Sequence, residues 1–127
     1  MNEIYTAIFN AIDTSTATPV LGHVPENYDT FPYIKVNSLE NQENDTDLET
    51  GFVSTIQIEV FSRYRGQKEC ADLQGVIYGA LHRVTLPDTV SYGLSTVQQE
   101  FSTILTESDG LTRTGVQRFT VIFEPLP

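Results

Sequence analysis

Hydrophobic positions change their spacing within residues 56–82, IQIEVFSRYRGQKECADLQGVIYGALH. Ile56, Ile58 and Val60 alternate with polar residues, which is typical of a strand with one apolar face. From residue 70 the apolar positions recur every three or four residues, as on one side of a helix: Cys70, Leu73, Ile77, Ala80 and Leu81. The pattern predicts a strand over 52–62, a basic turn, and an amphipathic helix over roughly 67–83 that Pro87 keeps from continuing.

The rest of the chain contains one more helical pattern and three more strand patterns. Residues 2–13 carry an apolar stripe at helical spacing, and 14–32 are rich in Thr, Pro and Gly, which indicates an irregular connection. Alternation predicts strands over 33–40, 94–107 and 116–124. We assign Val97, Phe101 and Leu105 to one face of the third strand, and Phe119, Val121 and Phe123 to one face of the last. Asp109-Gly110 predicts that these two strands form a hairpin.

These elements predict a single α+β domain over residues 1–127, in the order α-β-β-α-β-β. Two hairpins give a mainly antiparallel sheet of about four strands, and two amphipathic helices can pack on one face of it. A chain of 127 residues with 39% hydrophobic residues is long enough for one core. It contains no stretch of about 20 apolar residues and begins without the pattern of a secretory signal, so we expect synthesis in the cytoplasm.

Charge is distributed unevenly. The net charge is −10, and residues 1–62 hold ten carboxylates against Lys35 alone. The second half holds seven carboxylates and six bases, so DNA binding through a basic patch is not expected. The acidic stretch 41–51 has few apolar residues and predicts a mobile loop. We predict that acidic and basic surfaces of neighbouring subunits meet, with these candidate interface residues: Glu43, Asp45, Asp47, Glu49, Arg63, Arg65 and Lys68.

Small residues four positions apart form a ridge on each predicted helix. The ridge is Ala71, Gly75 and Gly79 on the second helix and Ala7 with Ala11 on the first. Because small side chains allow close approach of two backbones, we predict that the first helix packs on this ridge. A neighbouring subunit in the same place, or no special role, are the alternatives.

Residues suited to catalysis or metal binding do not form a recognisable constellation in the sequence. The run Asp45 to Gly51 resembles the start of a calcium loop, but its Gly comes one position late and Ile56 stands where the closing Glu belongs. His23 and His82 have no ligand spacing, and Cys70 on an apolar stripe is interpreted as a buried small hydrophobe. Whether Glu59 and Glu100 face each other stays open. We therefore predict no enzyme activity, no metal and no cofactor.

Several segments together resemble the tail-completion or tail-terminator proteins of long-tailed bacteriophages and related prophages. The resemblance rests on the N-terminal helix, on DTFPYIKV at 29–36, on residues 56–82, and on GLTRTGVQRFTVIFE at 110–124. The order and spacing of these segments carry the match, since no single motif is strongly specific. Residues 14–28 and 41–51 match no pattern of the family.

This resemblance implies an α+β fold and assembly into a ring, usually of six subunits, at the head-proximal end of the tail in the virion. Such a ring stops growth of the tail tube and offers the docking surface for the head. Implied partners are the tail tube protein, the head connector or stopper protein, and genome DNA that passes through without specific binding. No membrane partner is implied. Two alternatives remain: another head–tail joining or tube component, and a small acidic monomeric binding module or inhibitor.

Overall fold

The described residues of the protein, in a computed structural model, form two helices and seven strands. The structure describes residues 2–28, 30–37, 40–42, 52–82, 85–86 and 92–125. In chain order the elements are α1 (Asn2–Asp13), β1 (Val20–Leu21), β2 (Tyr33–Val36), β3 (Glu40–Gln42), β4 (Phe52–Ser62), α2 (Lys68–Leu81), β5 (Thr85–Leu86), β6 (Tyr92–Thr106) and β7 (Arg113–Pro125). Neither helix is long and apolar enough to cross a bilayer, and this statement is limited to the residues just given.

The strands form one mixed sheet in the order β1-β2-β4-β7-β6-β5, and β3 pairs with the first part of β4. The β1–β2 pair is parallel and the other pairs are antiparallel. The α+β class and both helices are therefore as predicted. The strand count and element order were wrong, because three strands of only two or three residues are too short to show any periodicity.

Several predicted boundaries also change. The connection 14–32 contains β1. The strand predicted over 33–40 contains β2, which ends at Val36, and Glu40, the first residue of β3. β3 includes Asn41 and Gln42, so these two residues do not belong to the predicted acidic loop. The remaining positions of that loop, 43–51, lie outside the described residues.

The core lies between the two helices and one face of the sheet. Ile56, Ile58 and Val60 of β4 are fully buried, as their alternation predicts. They pack with Phe119 and Val121 of β7 and with the apolar stripes of both helices: Ile4, Ile8, Ile12, Cys70, Ile77 and Leu81. Since full burial of an Ile or Phe side chain is worth about 1.5–3 kcal/mol, this layer supplies most of the apolar stabilisation. The opposite face of the sheet, here called the outer face, carries no helix among the described elements.

A β-bulge in β6 overturns the predicted face of two residues. Gln99 pairs with Phe119 and Phe101 pairs with Arg118, so Glu100 is an extra residue without a partner in β7. The extra residue exchanges the two faces of the strand beyond it. Val97 is buried, but Phe101 and Leu105 are 47% and 53% exposed, and Ile104 packs against the core instead. Alternation along the sequence cannot show this change of phase.

Candidate assembly surfaces

The side chains best suited to catalysis or metal binding are engaged in packing and hydrogen bonding. Cys70 is fully buried, and loss of hydration raises the pKa of its thiol to about 11, which disfavours the reactive thiolate. His82 stacks on Tyr78, and its Nδ1 atom accepts a hydrogen bond of 3.0 Å from the backbone N–H of Gln99. Within the described ranges, no three His, Cys, Asp or Glu side chains gather in a way that could hold a metal ion.

The two strand glutamates of interest are on different elements and have separate partners. Glu59 of β4 accepts a hydrogen bond of 2.7 Å from the Asn37 side chain. Glu100, at the bulge of β6, accepts one from the hydroxyl of Thr120. In the strand order β7 separates β4 from β6, so the sheet does not place the two carboxylates side by side.

The basic turn after β4 is exposed and has three cations with different surroundings. The Arg63 guanidinium lies over the Phe31 ring at 4.1 Å, and its Nε atom donates to the Thr112 hydroxyl at 3.3 Å. Lys68 forms an exposed ion pair with Asp72 at 3.0 Å, one helical turn away. Arg65 is exposed. Arg63 therefore has a structural role in the subunit, whereas Arg65 is the cation best suited to reach a neighbour.

The basic turn lies beside the turn of the β6–β7 hairpin. The prediction that these two strands form a hairpin is confirmed. Asp109 accepts hydrogen bonds of 2.8 Å from the backbone N–H groups of Leu111 and Thr112 and from the Thr112 hydroxyl. These bonds stabilise the carboxylate and lower its pKa to about 2. Gly110 has a φ of 69°, a left-handed conformation that glycine adopts without strain. The hydroxyl of Thr112 thus links Arg63 to Asp109 and holds the two turns together.

The acidic candidates Glu43, Asp45, Asp47 and Glu49 lie outside the described residues. The strands that flank them are described: Gln42 ends β3 and pairs with Val53 near the start of β4. Arg63 follows the other end of β4, and an eleven-residue strand is about 33 Å long. The acidic and basic candidates are thus attached to opposite ends of one long strand, and their contact across subunits stays a prediction.

The small-residue ridge of α2 does not receive α1. Ala71, Gly75 and Gly79 are exposed, and a Cβ atom added to either glycine would meet nothing within 4 Å. Ala7 and Ala11 are half-buried against the core, away from the ridge. The prediction of intramolecular packing was wrong because helical spacing shows which residues share a face but not which way that face points. The two alternatives, a neighbouring subunit on the ridge or no special role, remain untested.

Sequence reasoning missed three exposed apolar side chains on the outer face of the hairpin. Phe101 and Leu105 of β6 lie there with Ile122 of β7, which is 47% exposed. The guanidinium of Arg118 lies over the Phe101 ring at 5.7 Å. The three are spread along the hairpin, since Phe101 pairs with Arg118, Leu105 with Thr114 and Ile122 with Thr96, and isolated exposed apolar residues are common. The bulge at Glu100 turns Phe101 and Leu105 to this face, and no sequence signal marked it.

Comparisons with known proteins give a family and a structural neighbour. The family model described as "Tail completion protein gp17" matches residues 5–124. A chain from a solved structure titled "Virion of native gene transfer agent (GTA) particle" has a TM-score of 0.81 and 13% identity, over 97% of this chain and 96% of the other. At this identity the likeness shows the fold. A search of the curated proteins finds no match.

The family match takes in most of α1, all of α2 and nearly the whole sheet, so it concerns the whole fold and not a local motif. It includes three of the four segments on which the resemblance in sequence rests, and most of the fourth, the N-terminal helix. This chain therefore belongs to the tail completion protein gp17 family, and with it to the structural proteins of phage tails.

Proposed function

We propose that this protein is a tail terminator, which forms a ring on the head-proximal end of the phage tail tube. The observation that carries the proposal is the family match over residues 5–124, because the family is described by tail completion. The fold of the GTA virion chain supports it as well, since a similar fold occurs in a virus-like particle. The terminator role, the ring and its position are parts of the proposal.

The mechanism is occupation of a surface and needs no chemical step. A ring that matches the tube covers the surface to which the next tube ring would add, and growth stops. The other side of the ring then presents a different surface, which fits the head connector or stopper protein. Cys70 and His82, which could have served catalysis, are engaged in packing and hydrogen bonding, which is consistent with action through assembly.

Genome DNA is proposed to pass through the ring without specific binding. A net charge of −10 per subunit repels phosphates at short range, whereas a basic channel would hold them and slow exit. Duplex DNA at moderate salt should therefore show no binding to the protein. Micromolar binding would contradict this part of the proposal.

The proposal is tested by imaging tails assembled without this protein. A terminator predicts tubes of uncontrolled length and tails that lack heads, and supply of the wild-type chain should restore both. A head–tail joining component predicts tails of normal length without heads, and a tube component predicts no tubes. A monomeric binding module or inhibitor predicts normal virions, so each alternative has its own result.

A second measurement tests the ring directly. Sizing by light scattering, alone and with purified tail tubes, should find a closed oligomer in at least one of the two samples. A chain that is monomeric in both contradicts the terminator proposal. Wild-type tails labelled with antibody against this protein should carry the label at the head-proximal end.

A further inference from the structure

Among the described residues, one edge of the sheet is open along most of β6. β6 spans 15 residues and pairs with β7 along one side. On its other side β5 pairs only with Ser95 and Thr96. In the part of the chain that the structure describes, no strand therefore lies beside residues 97–106. An unpaired row of backbone N–H and C=O groups is a template for another strand.

Two hydrogen bonds show which backbone groups point away from β7. The N–H of Glu107 donates to the Thr112 carbonyl at 2.8 Å, so Glu107 faces β7. Because orientation alternates along an antiparallel strand, Leu105, Thr103 and Phe101 also face β7. The residues between them present their N–H and C=O groups to the open edge: Ser102, Ile104 and Thr106. On the other side of the bulge the N–H of Gln99 also points outward, but His82 accepts it.

Within residues 101–106 the edge lacks most of the usual protection. Natural edge strands are protected by Lys, Pro, inward charges, β-bulges or a covering element, and the bulge of β6 lies just before this segment, at Glu100. Residues 101–106, FSTILT, contain no charge, Pro or Gly and are rich in β-branched residues. Such a segment pairs readily with another strand. The neighbouring outer face adds the exposed side chains of Phe101 and Leu105, so a partner strand would also find apolar contacts.

We propose that the open edge of β6, at Ser102, Ile104 and Thr106, pairs with an extended segment of a second copy of this chain. This inference rests on the proposed function, which makes identical copies the nearest neighbours. In a ring each copy offers one surface to a different surface of the next copy. Charge agrees: exposed Glu100 and Glu107 flank the edge, and the same chain offers the exposed Arg65 in its basic turn.

Residue-resolved amide hydrogen exchange tests this contact in the wild-type protein. In the monomer, the amides of Ser102, Ile104 and Thr106 should exchange quickly, while those of Phe101 and Thr103 are protected by β7. In the assembled ring all five should be slow, as read after dissociation of the ring in a solvent that preserves the label. At least a tenfold slowing of Ser102 and Ile104 is expected, comparable to the gain of one net hydrogen bond.

A proline variant gives a second, independent test. Ser102→Pro removes one outward N–H, and edge strands tolerate proline where the N–H faces away from the ladder. Self-association should weaken about tenfold or more. Ser102→Val is the matched control, because it keeps the N–H and a good strand residue, and it should assemble like wild type. If Ser102→Pro does not fold, the exchange measurement on the wild type decides alone.

The outcomes separate this inference from the proposed function. A ring in which the Ser102 and Ile104 amides exchange as fast as in the monomer overturns the edge contact and leaves the terminator role standing. Protection that appears only when tail tube is added assigns the edge to the tube protein, which overturns the second copy as occupant. Protection in a two-fold dimer that forms no ring supports the edge contact and contradicts the ring. A chain that is monomeric throughout overturns both.

Discussion

Gly115 of β7 lies directly beneath Cys70 of α2, so close that a Cβ atom on the glycine would come within 2.7 Å of the Cys70 Sγ atom. The Cβ atom added to Gly115 would also come within 2.6 Å of the Gln74 Nε2 atom. Gln74 cannot easily move away, since Nε2 donates a hydrogen bond of 3.0 Å to the Thr103 carbonyl. The absence of a side chain at Gly115 therefore determines how closely α2 packs on the hairpin.

We predict that Gly115→Ala lowers the free energy of unfolding by about 1–3 kcal/mol, the usual cost of inserting an atom into a packed contact. Gly79→Ala is the matched control, because its new methyl group enters open space in a helix. That variant should be more stable than wild type by up to about 1 kcal/mol. Denaturant unfolding of the two variants is the measurement, and equal stability of Gly115→Ala and wild type would refute the packing argument.

Gly115 also shows what the sequence could and could not predict. Periodicity predicted both helices, the four longest strands and the buried residues of β4, because each of these depends on one local pattern of apolar positions. The glycine ridge of α2 was identified by the same means but assigned to the wrong surroundings. The close contact is instead at a glycine on β7, and pairing it with Cys70 requires the sheet order, which no local pattern contains.

The candidate surfaces were less predictable than the core. Arg63, Arg65 and Lys68 were identified from charge, and all three are exposed. The sequence could not predict the contacts of Arg63 with the Phe31 ring and the Thr112 hydroxyl, since these residues come together only in the folded protein. The open edge of β6 depends on strand order and on a bulge at Glu100. Neither is encoded in the alternation of apolar residues.

Gly75→Leu distinguishes the two remaining roles of the ridge on α2. A Cβ atom added to Gly75 would meet nothing within 4 Å. Leucine there should therefore raise the stability of the monomer by up to about 1 kcal/mol through its better helix propensity. If a neighbouring subunit packs on the ridge, the same variant should fail to form the ring. Thermal melting and sizing measure the two effects. A variant that is more stable and still assembles would show that the ridge faces solvent.

Asp109 should make stability depend on pH in the acid range. Hydrogen bonds from Thr112 and Leu111 lower its pKa from 3.8 to about 2 in the folded protein. A lowered folded pKa gives a stabilisation that is complete above pH 4 and is lost as the pH falls from about 4 to 2. Asp109→Asn should therefore melt below wild type at pH 7, and the difference should shrink at pH 2. A difference in melting temperature that stays constant from pH 7 to pH 2 would contradict the lowered pKa of Asp109.

Arg65 should contribute to self-association through charge. It is exposed at the basic turn and is the best placed of the three cations to reach a neighbour. The Arg63 side chain contacts the Phe31 ring and donates a hydrogen bond to Thr112. Lys68 forms an ion pair with Asp72. We predict that Arg65→Glu weakens ring formation, while Arg65→Lys, which keeps the charge, assembles like wild type.

An exposed ion pair is worth about 0.2–1 kcal/mol and is screened by salt, so the loss of affinity between subunits should be at most several-fold per contact and should fade above about 0.5 M salt. Light scattering across a salt series provides the measurement. If Arg65→Glu and wild type assemble equally at low salt, the charged turn does not contribute measurably to self-association.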